Sequence, residues 1–354
     1  MRVAVDCHMV AQPSPGDAGN ARYAASLARS MAETASAADH VTALVARREA
    51  WGAVGRISSA PVPANDLWRL ARGASSRLAA LDADLASFTY IAPPNAPCPV
   101  MLSVHDATFV TDPGWLGQRA RTMLRSLVPR SARAAGAVLT LSETARDDVG
   151  AALGLDPDRV RVVSPFPSPE FRPLDGAEER VRRQFGLRRY VLAVGDVGPR
   201  KNLPALGAAI DELDDPGLEL ALVGRPGHGG DEIAARTGGR WLGHVDDAQL
   251  ADLYRAAAVT AYPSLYEGFG LPLLEAMACG CPVVASRRGA LPEVAGDAAI
   301  LTEPAPGAIA EGLRAALEPA TADRLRASGP ARAARYTAAG MGEAAWGAAR
   351  EALS

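Results

Sequence analysis

Three sets of side chains in this sequence are spaced as phosphate and sugar chemistry would need them. Glu267 and Glu275 stand eight residues apart around the turn Gly268-Phe269-Gly270-Leu271. Arg200 and Lys201 are adjacent cations that follow Gly195, and His105 follows the apolar run PVMLSV. A glycine-bearing turn that opens a helix presents backbone N–H groups and the positive end of the helix dipole, which suits a phosphate. An Arg–Lys pair stabilises charge that builds on a leaving group. A carboxylate inside the helix suits a ribose diol, as an acidic residue does in dinucleotide-binding folds. Glu275 takes that place, and Glu267 is left near whatever is attached beyond the phosphates. On spacing alone the same stretch also reads as an ordinary βαβ turn with two solvated glutamates.

Composition sharpens one of these residues. Of the 37 basic side chains only Lys201 is lysine; the other 36 are arginine. In a chain so biased toward arginine, a lysine that merely supplied charge would drift to arginine. The survivor marks a place where a compact ammonium is needed and a planar guanidinium does not fit.

The elements that would position these groups alternate along the chain. Residues 2–6 (RVAVD) read as a buried strand. The loop from Gln12 to Asn20 carries Gly16, Asp17 and Gly19, and a helix over about 21–32 follows. Strands are expected over 41–46, 99–104, 137–141 and 159–163, with helices near 66–80 and 115–134. Ser142 reads as an N-cap with Glu143 in the first turn. Residues 164–176, SPFPSPEFRPLDG, hold four prolines and no periodicity, which marks a linker. Alternation then restarts with strands at 190–195, 218–224, 240–243, 259–263, 282–286 and 298–303. A helix entered through Pro272 and stopped at Gly280 separates two of these.

This pattern predicts an α/β protein of two doubly wound parallel-sheet, Rossmann-like domains facing across a cleft. The boundaries fall at 1–165 and 166–335, with a C-terminal helix near 336–354 completing the first domain. Ligands in such sheets bind at the carboxyl ends of strands. The turns at 195–202, 224–225, 243–246 and 264–270 should therefore line one edge, opposite the 12–20 loop and His105.

Length and charge exclude several classes. A chain of 354 residues exceeds one typical core. A formal net charge of −3 lacks the basic footprint of a nucleic-acid binder. Cys7, Cys98, Cys279 and Cys281 lack metal-ligand spacing and read as reduced thiols. His8, His40, His228 and His244 show no metal spacing, and the Asp82–Asp84 pair reads as solvated surface. No apolar window resembles a signal peptide or a membrane span. The expectation is a cytoplasmic protein. The arginine-rich stretch 119–133 would give at most weak contact with the inner face of an anionic membrane, a solvated helix face being the plainer reading.

At this point the residues resemble the retaining glycosyltransferases of family 4, the group 1 glycosyl transferases with the GT-B fold. The matching pieces are Gly195…Pro199-Arg200-Lys201-Asn202, Gly243-His244-Val245 and Glu267-Gly268-Phe269-Gly270-Leu271-Pro272…Glu275-Ala276-Met277-Ala278. Val104-His105-Asp106, Leu141-Ser142-Glu143 and Gly19…Arg22-Tyr23 match in the first half. The resemblance runs from residue 2 to about 303. It implies transfer of a sugar from a nucleotide-diphosphate donor to an acceptor hydroxyl, with retention, without a metal or other cofactor. Lys201 and Arg200 would stabilise the departing phosphate, Glu267 would bind donor-sugar hydroxyls, and His105 would lie near the reacting sugar. Gly19, Gly224, Val245, the 268–271 turn and Glu275 would hold the donor. The donor is GDP-, UDP- or dTDP-linked, with a lean to a mannose-like sugar or deoxysugar; the acceptor is unread. Two departures stand out. Ala21 occupies a position where relatives carry glycine, and Asp196 one where some carry arginine. Ala21 prompts one alternative, a non-catalytic nucleotide-sugar-binding protein; another is a sugar-nucleotide 2-epimerase of the same fold.

Overall fold

The computed structural model describes residues 1–10, 18–47, 51, 57–225, 227 and 229–353. The part of the first loop that holds Gln12, Gly16 and Asp17 lies outside the described residues, as does His228. The chain divides into two units, Met1–Pro165 with Thr337–Ser354, and Phe166–Tyr336.

The first unit runs β1 (Arg2–Asp6), α1 (Ala18–Glu33), β2 (His40–Val45) and β3 (Ser58–Pro61), then α2 (Asp66–Trp68), a π-helical segment Arg69–Gly73, and α3 (Ala74–Ala80). It continues β4 (Leu85–Thr89), β5 (Val100–Ser103), α4 (Thr108–Thr111), α5 (Gln118–Ala134), β6 (Ala137–Thr140), α6 (Glu143–Leu153) and β7 (Val160–Val162). Among the described residues, seven parallel strands lie in the order β3-β2-β1-β4-β5-β6-β7. The inner strands are apolar runs buried on both faces, as parallel sheets flanked by helices require. Phe88, Leu102, Val104, Leu78 and Val138 belong to this unit's core.

The second unit runs α7 (Ala177–Phe185), β8 (Tyr190–Val194), α8 (Leu203–Asp211), β9 (Glu219–Val223), α9 (Gly230–Thr237), β10 (Arg240–Gly243), α10 (Asp247–Ala256) and β11 (Val259–Tyr262). It ends with α11 (Leu271–Ala278), β12 (Val283–Ser286), α12 (Leu291–Ala295), β13 (Ile300–Thr302), α13 (Pro306–Leu317) and α14 (Pro319–Ala333). Its strands are parallel in the order β10-β9-β8-β11-β12-β13. The chain then returns to the first unit through α15 (Ala338–Glu351), capped by the Thr337 hydroxyl. The indole N–H of Trp346 donates to the Met31 carbonyl at 2.9 Å, which fixes α15 to α1.

Several elements differ from the sequence reading. The strands β3 and β4 and the helices α7, α9 and α12 are short elements that the sequence reading passes over. β3 is an edge strand of sequence SSAP, where small residues leave no alternation to read. α7 is a mostly polar helix bounded by Gly176 and Gly186, both left-handed. α1 starts at Ala18, three residues earlier than expected, so Gly19 sits in its first turn rather than in the loop ahead of it. Asp82 and Asp84 both pair with Arg2, so this D-x-D closes the start of β1.

Candidate active site

The second unit gathers the cation pair and Glu267 at the carboxyl ends of β8 and β11. After β8 the chain makes a 3-10 turn at Pro199–Lys201 and leaves through Asn202, which is left-handed (φ 53°). Asn tolerates that conformation better than most residues. The Asn202 amide donates to the Pro263 carbonyl at 3.2 Å and the Pro304 carbonyl at 2.9 Å. The Leu265 amide donates to the Arg200 carbonyl at 2.8 Å, so the turns after β8 and β11 are tied into one edge.

Within that edge the Lys201 ammonium donates to the Tyr262 hydroxyl at 2.7 Å and to Glu267 Oε1 at 2.8 Å. It also lies 4.4 Å from the Tyr262 ring centroid, a cation–π geometry. An ammonium has three N–H groups, and the third has no partner among the described residues. Arg200 pairs with Glu267 Oε2 and donates to the Tyr266 carbonyl at 2.9 Å. Both predicted cations thus meet on one of the predicted carboxylates.

The electrostatics follow from burial. Desolvation by itself would raise the Glu267 pKa, but Arg200 and then Lys201 outweigh it and hold the carboxyl at about 2. Burial lowers the Lys201 pKa below the ordinary lysine value, and Glu267 opposes that shift. Glu267 therefore stays anionic at neutral pH. Glu267, with Asp196 also acting on Lys201, holds two cations at this edge, where a phosphate could meet them.

Backbone geometry makes room for this cluster. Gly195 has φ +135°, and a Cβ on it would stand 2.8 Å from Lys201 Cε and 3.0 Å from Nζ. The lysine side chain therefore passes directly over Gly195. Gly224, at the end of β9, has φ +152° and would bring a Cβ within 2.0 Å of the Gly195 carbonyl oxygen. Its glycine is required by close approach of two strand ends. Asp196 accepts from the Arg225 amide at 3.3 Å and ties the same two turns.

The glycine turn carries the other donor-side candidates. Gly270 is left-handed (φ 102°) and caps α11, where Pro272 stands in the first turn. Leu273 and Leu274 donate back to the Gly270 carbonyl. Phe269 is buried and meets Tyr336 edge-to-face at 5.3 Å. Gly268 and Leu271 complete the turn, and Val245 is buried at the end of β10 beside the exposed His244. Glu275 is only 2% exposed, with the buried Tyr254 hydroxyl 3.5 Å from its Oε2. The two glutamates thus differ: Glu267 is clamped by cations at the turn, and Glu275 sits within the helix core.

In the first unit, His105 follows β5 at the carboxyl edge. It is buried, and its Nδ1 is 2.8 Å from Asn20 Oδ1. With that oxygen accepting, Nδ1 carries the proton and Nε2 is a bare acceptor. Nε2 is buried without a hydrogen-bond partner. Tyr23 and Tyr90 contact the ring edge-on, at centroid distances of 4.5 and 5.5 Å. Desolvation lowers the His105 pKa to about 3, so the ring is neutral. Gly19 has open space where a Cβ would stand, whereas Ala21 is buried in α1.

Sequence reasoning misses Tyr262, Gly289 and Asn20. Tyr262 is the last residue of an apolar strand, where a tyrosine reads as core. Gly289 is left-handed, and a Cβ on it would lie 2.4 Å from the Glu267 carbonyl oxygen; the Ala290 amide bonds that oxygen at 2.9 Å. Among the described residues no group of three or more His, Cys, Asp or Glu is arranged to hold a metal. No described helix is long and apolar enough to cross a membrane.

Two parallel-sheet units, with a cation–carboxylate cluster at the strand ends of the second, define the GT-B architecture. Residues 18–171 match the model described as Glycosyltransferase Family 4, and residues 188–319 the model described as Glycosyl transferases group 1; the chain belongs to this family. It is 36% identical over 214 residues, 56% of each chain, to O-antigen chain mannosyltransferase B of Escherichia coli. The matched stretches span between 34% and 56% of the lengths of such curated relatives. Sucrose-phosphate synthase from Thermosynechococcus elongatus has a similar fold, with a TM-score of 0.74 at 21% identity, covering 95% of this chain and 94% of that one. Anabaena Alr3699/HepE in complex with UDP and glucose also reaches 0.74, at 18% identity and 99% coverage of each chain.

Proposed function

We propose that the protein is a metal-independent, retaining glycosyltransferase that moves a sugar from a nucleotide-diphosphate donor to an acceptor hydroxyl. The observation that carries this reading is the Lys201–Arg200–Glu267 cluster, with two adjacent cations and a Lys201 N–H left for a phosphate oxygen. In the reaction the bond from the anomeric carbon to the β-phosphate oxygen breaks, and the acceptor oxygen bonds that carbon on the same face. The acceptor proton passes to the leaving phosphate, so no protein nucleophile is needed. Lys201 and Arg200 stabilise the phosphate charge as it develops. Glu267 positions both cations and accepts from donor-sugar hydroxyls. The 268–271 turn, Gly19, Gly224 and Val245 hold the donor, and Glu275 takes the ribose. His105 Nε2, a neutral acceptor, takes a hydroxyl hydrogen bond near the reacting sugar.

The name of the E. coli relative supports the lean toward a mannose-like sugar, and the UDP complex of the Anabaena neighbour supports a nucleotide-sugar donor. The setting is cytoplasmic. A weak membrane-surface contact through the basic stretch 119–133 fits the exposed Arg119, Arg125, Arg130 and Arg133 of α5. The test is a thermal-shift series with GDP, UDP and dTDP, followed by nucleotide release from the matching sugar donor across a panel of acceptors. One nucleotide should raise the melting temperature, and its sugar donor should turn over with an acceptor. Stabilisation by none of the three would defeat the proposal. Conversion of the donor sugar without an acceptor would favour an epimerase.

A further inference from the structure

A neutral imidazole carries one N–H and one bare nitrogen, and which is which decides whether the ring accepts from a hydroxyl or donates to it. For His105 that choice is made by α1. Asn20, in the first turn of α1, places Oδ1 at 2.8 Å from Nδ1 across 85 residues of sequence. A carbonyl oxygen only accepts, so the proton stays on Nδ1 and Nε2 is left bare. Tyr23, three residues on and on the same helix face, meets the ring edge-on at 4.5 Å between centroids. The start of α1 therefore grips the imidazole at two points.

The ring is also held from β4. Tyr90 follows that strand with φ 60°, a left-handed conformation that a bulky residue rarely takes. Its amide donates to the Ser103 carbonyl at 2.8 Å, and its ring lies 5.5 Å from that of His105. Backbone strain of this kind persists only where the surroundings hold it, and it gathers at functional sites.

Charge is kept off the imidazole. Asp106, the carboxylate next in sequence, accepts instead from the Thr108 amide and hydroxyl at 3.0 and 2.6 Å. Tyr23 and Tyr90 are the titratable rings that face His105, and burial raises the Tyr23 pKa, so it is neutral too. A carboxylate at position 20 would also keep the proton on Nδ1, but it would stabilise the imidazolium. An amide fixes the tautomer and leaves the ring neutral. Nε2 is buried with no hydrogen-bond partner, and an acceptor left so is costly until a donor reaches it.

Building on the glycosyltransferase reading above, we infer that Asn20 is a positioning residue that holds His105 in the Nδ1–H tautomer and so keeps Nε2 an acceptor for a hydroxyl of the transferred sugar. Asn20 acts through the imidazole rather than on the sugar.

The test reads the ring nitrogens by long-range proton–nitrogen NMR on the full chain, with His105 assigned by the signals lost in His105→Asn. At neutral pH the wild type should show the Nδ1–H form and Asn20→Ala a shift to the Nε2–H form. Asn20→Asp should keep the Nδ1–H form and titrate about 1–3 pH units above wild type. Wild type in the Nε2–H form, or an unchanged tautomer in Asn20→Ala, overturns the inference. Nucleotide-diphosphate affinity and turnover of the matching sugar donor are measured on the same variants. Asn20→Ala should lose roughly five- to tenfold in turnover, the effect of one misdirected hydrogen bond, and keep nucleotide-diphosphate affinity within about twofold. Asn20→Asp should recover turnover in mild alkali and lose it in acid as the ring takes a second proton, a limb that a merely structural role would not create. A changed tautomer with wild-type turnover in Asn20→Ala overturns the positioning role and keeps the glycosyltransferase reading. A wild type that binds no nucleotide defeats that reading, and the sugar partner with it, whatever the tautomer. Circular dichroism checks that Asn20→Ala folds, and Asn20→Asp carries the test if it does not.

Discussion

Replacing Lys201 with arginine keeps the charge and changes only the shape of the head group. The structure says what that shape change does. Lys201 threads over Gly195, with Cε at 2.8 Å from where a Cβ would be, and its Nζ bonds Tyr262 and Glu267 at 2.7 and 2.8 Å. An ammonium sends three N–H groups outward from one atom, while a guanidinium spreads its donors over a plane. Arginine keeps an ion pair with Glu267, so the carboxylate stays compensated and the fold holds. It does not keep the Tyr262 bond, the Glu267 bond and a third N–H directed at phosphate together. Losing one preorganised donor to a developing charge costs about 2.7–4 kcal/mol, or roughly 10²–10³ in turnover. Lys201→Ala removes the charge as well and leaves Glu267 with Arg200 alone, so its loss should be larger. The assay is nucleotide release from the donor found by thermal shift, with nucleotide-diphosphate affinity measured by calorimetry. Lys201→Arg turning over within about threefold of wild type would refute the reasoning that a compact ammonium is required.

Tyr262→Phe keeps the ring face but removes the acceptor of the Lys201 bond. The expected loss is about 1 kcal/mol, or roughly fivefold in turnover. The protonated lysine loses support, so the alkaline limb of the rate profile moves to lower pH; a limb that stays in place would show that Tyr262 does not act through Lys201. Gly195→Ala meets both a positive φ and the Lys201 side chain, so it should lower the melting temperature and turnover together, at about 1–3 kcal/mol of strain. An alanine variant with wild-type melting and turnover would show that Lys201 does not depend on that glycine. His105 is held neutral by burial with a pKa of about 3. Between pH 6.5 and 3 the unfolded chain binds a proton that the folded one refuses, so stability is lost as pH falls through that window. From pH 6.5 to 5 this amounts to about 2 kcal/mol. His105→Asn should remove that part of the pH dependence in urea unfolding, and an unchanged dependence would contradict the assigned burial.

The chemistry of the site was legible in the sequence because its residue types are scarce where they stand. A lone lysine, two glutamates bracketing a glycine turn and a histidine ending a strand need no structure to be noticed. Their mutual geometry was not legible. Glu267 lies 66 residues from Lys201, and nothing local says that both Lys201 and Arg200 close on it. By spacing alone Glu267 goes to the sugar and the cations to the phosphate as separate tasks, whereas the fold makes them one cluster. Tyr262 escaped notice because a tyrosine ending an apolar strand reads as core, and it is core except for its hydroxyl. His105 and Asn20 are partners across 85 residues. The α/β alternation was readable wherever strands were apolar runs. It failed at β3, where an edge position tolerates small residues, while the helix expected near 66–80 is present as α2, a π-helical segment and α3.

The order in which the units are completed along the chain differs from the order in which they begin. Residues Phe166–Tyr336 are contiguous, so the second unit has all its strands and helices once Tyr336 has been synthesised. The first unit begins at Met1 but lacks α15 until the residues after Thr337 arrive. Domains usually mature from the N-terminus onward during synthesis. Here the buried face of α1 that receives Trp346 waits through the synthesis of an entire second unit. That interval leaves the apolar face of α1 uncovered in the nascent chain until α15 arrives, a surface for chaperones to hold.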